Sequence, residues 1–449
     1  MFSTVLIANR GEIAVRVART CRELGVRTVA VYSTADADSA VVRYADEAVQ
    51  IGPPPARRSY MSMAAIIEAA LQTGADAIHP GYGFLSEDQD FAEVCEANGI
   101  SFVGPSPTVM AQLGDKALAR AVMADAGLPV LPGSLAPLDN AADAKECADQ
   151  TGYPVIIKAV SGGGGRGMRV VRAPRDFLRT YKETRAAAQA IFGDGRVYVE
   201  RFVEAARHVE VQVLCDCHGT GIHLGERDCT VQRRQQKLLE ESPAPELPDG
   251  LDRRISEAAT RGALAVGYSG AGTFEFLVDE TGAFYFLEVN CRIQVEHPVT
   301  EMVTGVDLVR EQLRIAAGYP LACGQSGVER RGVAIECRVN AEDPERGFMP
   351  AAGRLDEFLL PGGPFVRVDT HAYQGFRVSS EYDSLLAKVI VWAPNRSDAI
   401  ARMRRALHEF RVAGPGVCTT IRFLTEVLNN PLFCSAKHTT SLVGQLLEE

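Results

Sequence analysis

The N-terminal part of the chain alternates between short apolar runs and segments with helical spacing. Apolar and β-branched residues fill 4–8 (TVLIA) and 27–32 (RTVAVY), which predicts two strands. Between them, 12–24 repeats apolar residues at helical spacing and is followed by Gly25, which predicts a helix that ends there. The same alternation continues over 60–104. Strands and helices in this order predict a parallel, doubly wound sheet.

The glycine pattern of a dinucleotide site is missing from this segment. Such a site needs G-x-G-x-x-G after the first strand, because backbone N–H groups at the following helix hold the pyrophosphate. Here Gly11 stands alone after the first predicted strand. We therefore predict a Rossmann-like N-terminal domain that holds no NAD.

The pattern changes at 129–138 (PVLPGSLAPL), where three prolines predict a linker. From 154 onward the chain is rich in apolar runs typical of strands, and a hairpin is predicted at 272–291. A third unit of mixed strands and helix begins near 328. The pattern thus predicts three units of structure.

Composition narrows the class of protein. With 449 residues, of which 46% are hydrophobic and 23% charged, the chain can bury large cores. A net charge of −10 argues against a nucleic-acid-binding surface. No apolar run approaches the roughly 20 residues of a membrane helix, and the N-terminus lacks the features of a signal peptide. Eleven cysteines without a repeating spacing do not indicate disulfides, so we expect a cytoplasmic protein with reduced thiols.

A glycine-rich loop lies between two predicted strands at 158–168 (KAVSGGGGRGM). A dinucleotide fingerprint would open a helix, whereas MRVVRA after this loop is typical of a strand. A strand–loop–strand flap lets backbone N–H groups approach phosphates closely, and Lys158 on the incoming strand can pair with a phosphate. The alternative is a mobile hairpin tip with no ligand. The pattern favours a nucleotide flap.

The predicted hairpin carries two acids that face each other. If Thr281 and Gly282 form a two-residue turn, Glu275 lies directly opposite Glu288. Like charges in this position are destabilising unless a cation neutralises them, and Mg²⁺ favours a few carboxylates completed by phosphate oxygens. We therefore predict a metal site here, with a solvated polar face as the alternative. Two further polar residues follow at two-residue steps on the same face: Asn290 and Arg292.

Several longer motifs come in the order and spacing of the biotin carboxylase family, which the chain resembles over essentially its whole length. They are ANRGEIAVRV (8–17), HPGYGFLSE (79–87), GDK (114–116), GGGGRGM (162–168), RHVEVQV (207–213), QRRQQK (232–237), NCRIQVEHPVTE (290–301), IECRVNAEDP (335–344) and YDSLLAK (382–388). The resemblance implies an α/β protein with the ATP-grasp fold. It implies a Rossmann-like domain at 1–113, an ATP-grasp domain at 114–327 with a mobile glycine-rich lid at about 131–203, and a mixed C-terminal domain at 328–449.

The resemblance also implies an activity and partners. Members of the family use ATP, Mg²⁺ (or Mn²⁺) and bicarbonate to carboxylate carrier-bound biotin through carboxyphosphate, with release of ADP and phosphate. They act as homodimers with a biotin carboxyl carrier protein and carboxyltransferase subunits, most often in acetyl-CoA carboxylase for fatty acid synthesis. No Met-Lys-Met occurs in this sequence and no module follows the third unit, so we expect the biotin on a separate carrier protein.

Roles can be assigned to the residues that match the family's motifs. ATP contacts are implied for Lys116, Lys158, Gly164, Gly165, Glu200, Arg201, Phe202, Val203, His208 and Gln235. Metal ligands are implied at Glu275, Glu288 and Asn290. The bicarbonate site is implied at Lys237, Arg292, Gln294 and Val295, with Glu296 as general base and Arg338 facing biotin.

Three departures from the family pattern stand out. Gln235 replaces a histidine, so the ribose contact loses a group that can carry charge. The hairpin around Glu280 is one residue longer than usual, and Ala351 and Ala352 replace Ser-Pro. Two alternatives remain at this point: another ATP-grasp ligase that activates a different carboxylate, and a nucleotide-sensing module without turnover, which only Gln235 supports.

Overall fold

The predicted alternation of strands and helices in the N-terminal segment is confirmed. The computed structural model describes residues 1–161 and 167–448. The elements of this segment are β1 (Thr4–Ile7), α1 (Gly11–Glu23), β2 (Arg27–Ser33), α2 (Ala40–Tyr44), β3 (Glu47–Gly52), α3 (Met63–Thr73), β4 (Ala77–His79), α4 (Gln89–Ala97), β5 (Ser101–Phe102) and α5 (Pro107–Gly114). The five strands are all parallel and lie in the order β3-β2-β1-β4-β5.

Local sequence explains where these helices begin and what they bury. Helix α1 buries its apolar positions Ile13, Val17 and Cys21, which repeat at helical spacing. Helix α3 begins later than the predicted residue 60, because the Ser62 side chain accepts a hydrogen bond from the Ala65 backbone N–H and caps the helix there.

The middle of the chain forms a small separate layer and then the first part of a large sheet. The elements are α6 (Lys116–Asp125), α7 (Ala141–Thr151), β6 (Val155–Ala159), β7 (Met168–Val171), α8 (Phe177–Phe192), β8 (Val197–Arg201), β9 (Arg207–Cys215), β10 (Gly221–Arg233), β11 (Gln236–Ser242), α9 (Leu251–Ala265), β12 (Gly270–Val278), β13 (Phe284–Asn290), α10 (His297–Thr304) and α11 (Leu308–Ala316). Strands β7-β6-β8 form a three-stranded antiparallel sheet covered by α7 and α8, with a hydrophobic core of its own.

The C-terminal part completes that large sheet. Its elements are β14 (Val333–Asn340), β15 (Glu342–Asp343), β16 (Met349–Pro350), β17 (Gly353–Arg354), β18 (Glu357–Leu359), β19 (Val366–Thr370), β20 (Arg377–Val378), β21 (Leu385–Ala393), α12 (Arg396–Glu409), β22 (Arg411–Ala413), α13 (Ile421–Asn429), α14 (Pro431–Cys434) and α15 (Leu442–Glu448). Eight antiparallel strands run in the order β13-β12-β9-β10-β11-β14-β21-β19. Strand β11 pairs with β14, so the second and third units share one sheet.

The proline-rich segment 129–138 connects two units but is not free of them. The backbone N–H of Phe286 donates to the Pro129 carbonyl at 2.7 Å, and the Leu138 N–H donates to the Val197 carbonyl at 2.8 Å. At Gly133, which has a φ of +149°, an added Cβ would lie 2.2 Å from the Val199 carbonyl oxygen. The segment therefore docks on both the large sheet and the three-stranded one.

Within the described residues, we find no helix with the length and apolar character needed to cross a membrane.

Candidate active site

The hairpin β12–β13 brings the two predicted metal-binding acids together. Glu275 pairs directly with Glu288, in the predicted register. The register then shifts by one residue, so that Phe276 pairs with Phe286. Such a bulge inserts one extra residue into a strand and bends it next to the unpaired position. The pairing of the two acids is confirmed, but the predicted register does not continue beyond the bulge.

The predicted two-residue turn at Thr281 and Gly282 is wrong. The Asp279 N–H donates to the Ala283 carbonyl at 2.9 Å, which closes a longer loop. The Asp279 carboxylate also accepts from the N–H groups of Thr281 (2.9 Å) and Ala283 (3.0 Å). Aspartate organises turns in this way because its short side chain reaches the backbone two residues on. The bulge absorbs the change of register.

Glu275 is the centre of a buried hydrogen-bond network. Its Oε1 accepts from Lys237 Nζ at 2.9 Å, Asn290 Nδ2 at 2.8 Å and Gln294 Nε2 at 2.9 Å. Its Oε2 lies 3.0 Å from His208 Nε2. Burial alone would raise the pKa of Glu275, but the charges of Lys237 and His208 hold that pKa well below its usual range. Glu275 is therefore a carboxylate in the folded protein.

Glu288 binds a lysine at the start of a helix. The Asp115 side chain caps α6 by accepting from two backbone N–H groups, and Lys116 is the first residue of that helix. Lys116 Nζ donates to Glu288 Oε2 at 2.6 Å. The positive end of the helix dipole disfavours a lysine there, so the carboxylate compensates. Burial alone would lower the pKa of Lys116, but Glu288 raises it above the usual value.

These side chains fit a divalent cation that prefers oxygen ligands. Glu275 and Glu288 offer carboxylate oxygens from adjacent strands, and Asn290 on the same strand as Glu288 offers an amide oxygen. Mg²⁺ takes such oxygens and leaves its other positions to water and phosphate. Two lysines now bind the carboxylates, which shows that the acids attract positive charge.

Lys237 lies among three buried carboxylates. Its Nζ donates to Glu296 Oε1 at 2.6 Å, to Glu275 and also to Glu210. Burial alone would lower the pKa of Lys237, but the three acids raise it well above its usual value. Lys237 is therefore a permanent cation at the centre of the site.

Glu296 joins Lys237 to the predicted biotin-facing arginine. Glu296 immediately precedes α10, and its Oε2 accepts from Arg338 Nη2 at 3.0 Å. Arg338 Nε also donates to Glu240 Oε1 at 2.6 Å. Burial alone would raise the pKa of Glu296, but Lys237 and Arg338 hold it below its usual range. Glu296 is therefore ionised between two cations.

Arg292 and Val295 lie on the turn between β13 and α10. Arg292 Nη2 donates to Asn290 Oδ1 at 3.0 Å, and its Nε donates to Glu87 Oε2 at 3.1 Å. The Val295 carbonyl accepts from Lys388 Nζ at 2.8 Å. The guanidinium is thus held at the rim of the same cluster.

Arg227 is a member of the site that sequence reasoning missed. It is fully buried on β10, and its five donors are satisfied by surrounding side chains. The hydrogen-bond partners are Glu210, Gln212, Thr273, Gln294 and Thr300. One signal for this network was present, because His208, Glu210 and Gln212 alternate along β9 and must share one face.

Four of the residues predicted to contact ATP fall into two groups. Lys116 and His208 belong to the cluster around Glu275 and Glu288. Lys158, on β6, forms an ion pair with Glu200, with its Nζ 2.6 Å from Glu200 Oε2, and Glu200 Oε1 also accepts from the buried Arg120. The Glu200 side chain is therefore an ion-pair partner of Lys158, a role that sequence reasoning did not include.

The remaining predicted ATP contacts lie in the chain segment that connects the three-stranded sheet to the large sheet, or at a turn. Arg201 ends β8, and Phe202 and Val203 follow it in the connection to β9. Gln235 is exposed in the turn between β10 and β11, with a φ of +61°. Gln232, on β10, has its Nε2 3.3 Å from His208 Nδ1. Gly164 and Gly165 lie outside the described residues.

Three family models together match most of the chain. The model described as "Biotin carboxylase, N-terminal domain" matches residues 1–110, and "Biotin carboxylase C-terminal domain" matches residues 336–445. Between them, residues 115–323 match "Carbamoyl-phosphate synthase L chain, ATP binding domain".

Similar proteins extend over the full chain. Biotin carboxylase of Nostoc sp. is 51% identical over 445 residues, which is 99% of each chain. The crystal structure of a biotin carboxylase–β,γ-ATP complex from Campylobacter jejuni is 46% identical and covers 99% of both chains, with a TM-score of 0.96.

A second similar structure was solved with bound ligands. It is the biotin carboxylase domain dimer of 2-oxoglutarate carboxylase from Hydrogenobacter thermophilus, in complex with MgADP, ADP and bicarbonate. It is 46% identical, covers 99% of this chain and 98% of that one, and has a TM-score of 0.95. On these similarities, the chain belongs to the biotin carboxylase family.

Proposed function

We propose that this chain carboxylates biotin with bicarbonate and ATP, through carboxyphosphate, and releases ADP and phosphate. The observation that carries the proposal is Glu296, a buried carboxylate bound by Lys237 on one oxygen and by Arg338 on the other. A base held between an anion-binding lysine and an arginine suits a reaction that deprotonates bicarbonate and then stabilises a biotin anion. A sensing module without turnover would not need this arrangement.

The first step asks the protein for position and neutralised charge. Lys116 and Lys158 pair with ATP phosphates as point charges, which frees their present partners Glu288 and Glu200. Glu275 and Glu288, with Asn290, would hold Mg²⁺, which would neutralise phosphate charge during transfer. The lid predicted at about 131–203 would close over the phosphates and exclude water.

Bicarbonate binds beside Arg292, whose planar fork matches a carboxylate. Glu296 takes the bicarbonate proton, and a bicarbonate oxygen attacks the γ-phosphorus to give carboxyphosphate and ADP. In the free enzyme Lys237 and Arg338 lower the basicity of Glu296. When Lys237 turns to the incoming anions, Glu296 regains basicity at the moment when a base is needed.

Biotin reacts in the second step. Carboxyphosphate breaks its C–O bond and yields CO₂ and phosphate. The phosphate takes the proton of the ureido nitrogen, which attacks CO₂ to form carboxybiotin. Arg338 donates to the ureido oxygen, where negative charge develops. Gln294 and Val295 border the bicarbonate site.

Arg338→Ala is expected to separate the biotin step from nucleotide binding. Arg338 contacts Glu240 and Glu296 and none of the lysines assigned to phosphate, so its loss removes the charge that stabilises the biotin anion and leaves the nucleotide contacts in place. We expect kcat/KM for biotin to fall roughly 100-fold, with the KM for MgATP within about threefold. ADP release with and without free biotin in bicarbonate buffer measures both. An equal loss of nucleotide affinity would refute this division of labour.

We also propose the domain division 1–113, 114–327 and 328–449, with the lid at about 131–203. The separate hydrophobic core under β6, β7 and β8 supports a lid that moves as a body.

The protein acts as a homodimer, in line with the dimer described for the Hydrogenobacter relative. Its eleven cysteines are free thiols, which suits the cytoplasm. A carboxyltransferase subunit transfers the carboxyl group from carboxybiotin to acetyl-CoA.

Carrier-bound biotin is expected to be a better substrate than free biotin. No Met-Lys-Met biotinylation motif occurs in this sequence, so the biotin arrives on a separate carrier domain. Docking of the carrier raises the local biotin concentration, and kcat/KM should rise by about 100-fold or more. The gain is measured by comparing ADP release with a biotinylated carrier domain and ADP release with the unbiotinylated domain mixed with free biotin. Equal efficiency for the two substrates would contradict the proposal.

A further inference from the structure

Two buried acids face each other behind Arg338, and the steps above do not use them. Glu240 on β11 pairs directly with Glu336 on β14. Both side chains are 0% exposed. Directly opposed residues have Cβ atoms only about 5 Å apart, so two full negative charges here would repel strongly. Their arrangement needs an explanation.

The two acids differ in what they touch. Glu240 Oε1 accepts from Arg338 Nε at 2.6 Å. Neither oxygen of Glu336 has a hydrogen-bond partner among the described residues, and neither does Glu240 Oε2. A buried carboxylate without donors is much less stable than a buried neutral acid. If the pair holds one proton, that proton therefore belongs on Glu336.

The surrounding charges do not compensate for two ionised acids. Arg338 on β14 is shared with Glu296, which precedes α10. The other two cations nearby have acids of their own. On β21, Lys388 binds Glu12 at 3.0 Å and lies 4.0 Å from Asp369. On β11, Lys237 binds three other acids, namely Glu210, Glu275 and Glu296. His297 on α10 adds no positive charge, because burial lowers its pKa and keeps it neutral.

Burial raises the pKa of Glu240 to about 7 in spite of Arg338, and it raises the pKa of Glu336 well above its usual value. An acid whose pKa is raised in the folded state lowers the stability of the fold as pH rises from the ordinary pKa towards the raised one, because the unfolded state releases a proton that the folded state still holds. A proton on the pair at neutral pH agrees with the geometry.

We propose that Glu240 is a positioning residue for Arg338, and that Glu336 stays protonated beside it so that the pair carries a single negative charge. Glu240 and Glu296 then both accept hydrogen bonds from the Arg338 guanidinium and orient it towards the biotin ureido oxygen. A second negative charge on Glu336 would cancel the field that Arg338 offers to the developing anion. This inference rests on the proposed biotin carboxylation.

Glu240→Gln tests the positioning role. The amide removes a charge-assisted bond to Arg338, and we expect kcat/KM for free biotin to fall roughly 10- to 100-fold. The KM for MgATP and the slow ADP release without biotin should stay within about twofold, because Glu240 touches no group assigned to ATP. Glu240→Asp keeps the charge and should recover part of the loss.

Glu241→Gln is the matched control. Glu241 is the next residue on β11, is equally buried, and is bound by Arg396 through both oxygens. It faces away from Arg338, so its substitution should leave biotin kinetics unchanged even if it lowers thermal stability. A Glu240→Gln variant with parent-like kcat/KM for biotin, or with an equal loss of ADP release without biotin, overturns the positioning role.

Glu336→Gln tests the proton. In the parent the rate of the biotin step should decline at alkaline pH as Glu336 loses its proton, whereas the amide cannot ionise and the rate should persist to higher pH. If the biotin-step rate of Glu336→Gln declines at the same alkaline pH as that of the parent, this part of the proposal is wrong. This test does not depend on Glu240→Gln, so it holds even if that variant does not fold. A parent that shows no biotin-stimulated ADP release would contradict the proposed function itself, which is a distinct outcome.

Discussion

Replacing Glu288 by Gln is expected to abolish ATP turnover, with a loss of about 100-fold or more. Glu288 faces Glu275 across the hairpin, and the pair supplies the two carboxylates proposed to hold Mg²⁺. The amide keeps the size of the side chain but removes its charge. Residual activity should require a higher Mg²⁺ concentration. ADP release measured across a Mg²⁺ titration gives both quantities.

The Mg²⁺ dependence separates metal binding from a second role of Glu288. Glu288 also accepts from Lys116, so the substitution loosens that lysine as well. Loss of the lysine contact alone would lower activity without moving the Mg²⁺ midpoint. Glu280→Gln, an exposed acid in the loop of the same hairpin, is the matched control and should behave as the parent. Parent-level activity of Glu288→Gln at ordinary Mg²⁺ would show that the facing acids do not bind the metal.

Glu296→Gln is expected to lower biotin-stimulated ADP release by roughly 100- to 10,000-fold, the range for loss of a general base. The single amide oxygen can accept from either Lys237 or Arg338, but the amide cannot take a proton from bicarbonate. The KM for MgATP should change by no more than about threefold, because Glu296 touches no group assigned to the nucleotide. Steady-state rates at saturating bicarbonate measure the effect.

The substitution removes the base without removing the neighbouring cation. Glu210 and Glu275 still surround Lys237 and keep its pKa raised, so the lysine stays charged in the variant. A rate loss therefore reports on proton transfer and not on a neutralised anion site. Glu311→Gln on α11, a buried acid outside this cluster, is the control. A Glu296→Gln variant with more than about a tenth of parent activity would exclude Glu296 as the essential base.

The amino-acid sequence determined those features that depend on short-range periodicity. Alternating strand and helix patterns fixed the parallel N-terminal sheet, because a parallel connection needs a crossover that a helix provides. The two-residue repeat of a strand placed Glu288 and Asn290 on one face. The pairing of Glu275 with Glu288 was derived from a two-residue turn that the structure does not contain, and it holds because a bulge after Glu275 offsets the longer loop. Periodicity along the chain does not reveal a bulge.

Only the tertiary structure decided which charges neutralise which. Lys237 on β11 meets Glu210 from β9, Glu275 from β12 and Glu296 from the start of α10, and no spacing along the chain predicts that meeting. The same holds for the Arg227 network and for Glu240 facing Glu336 across the junction of two units. Periodicity says which side of its own strand a residue occupies, whereas the order of strands in the sheet sets its neighbours. Buried charges are decided by those neighbours, because each must find a partner or give up its charge.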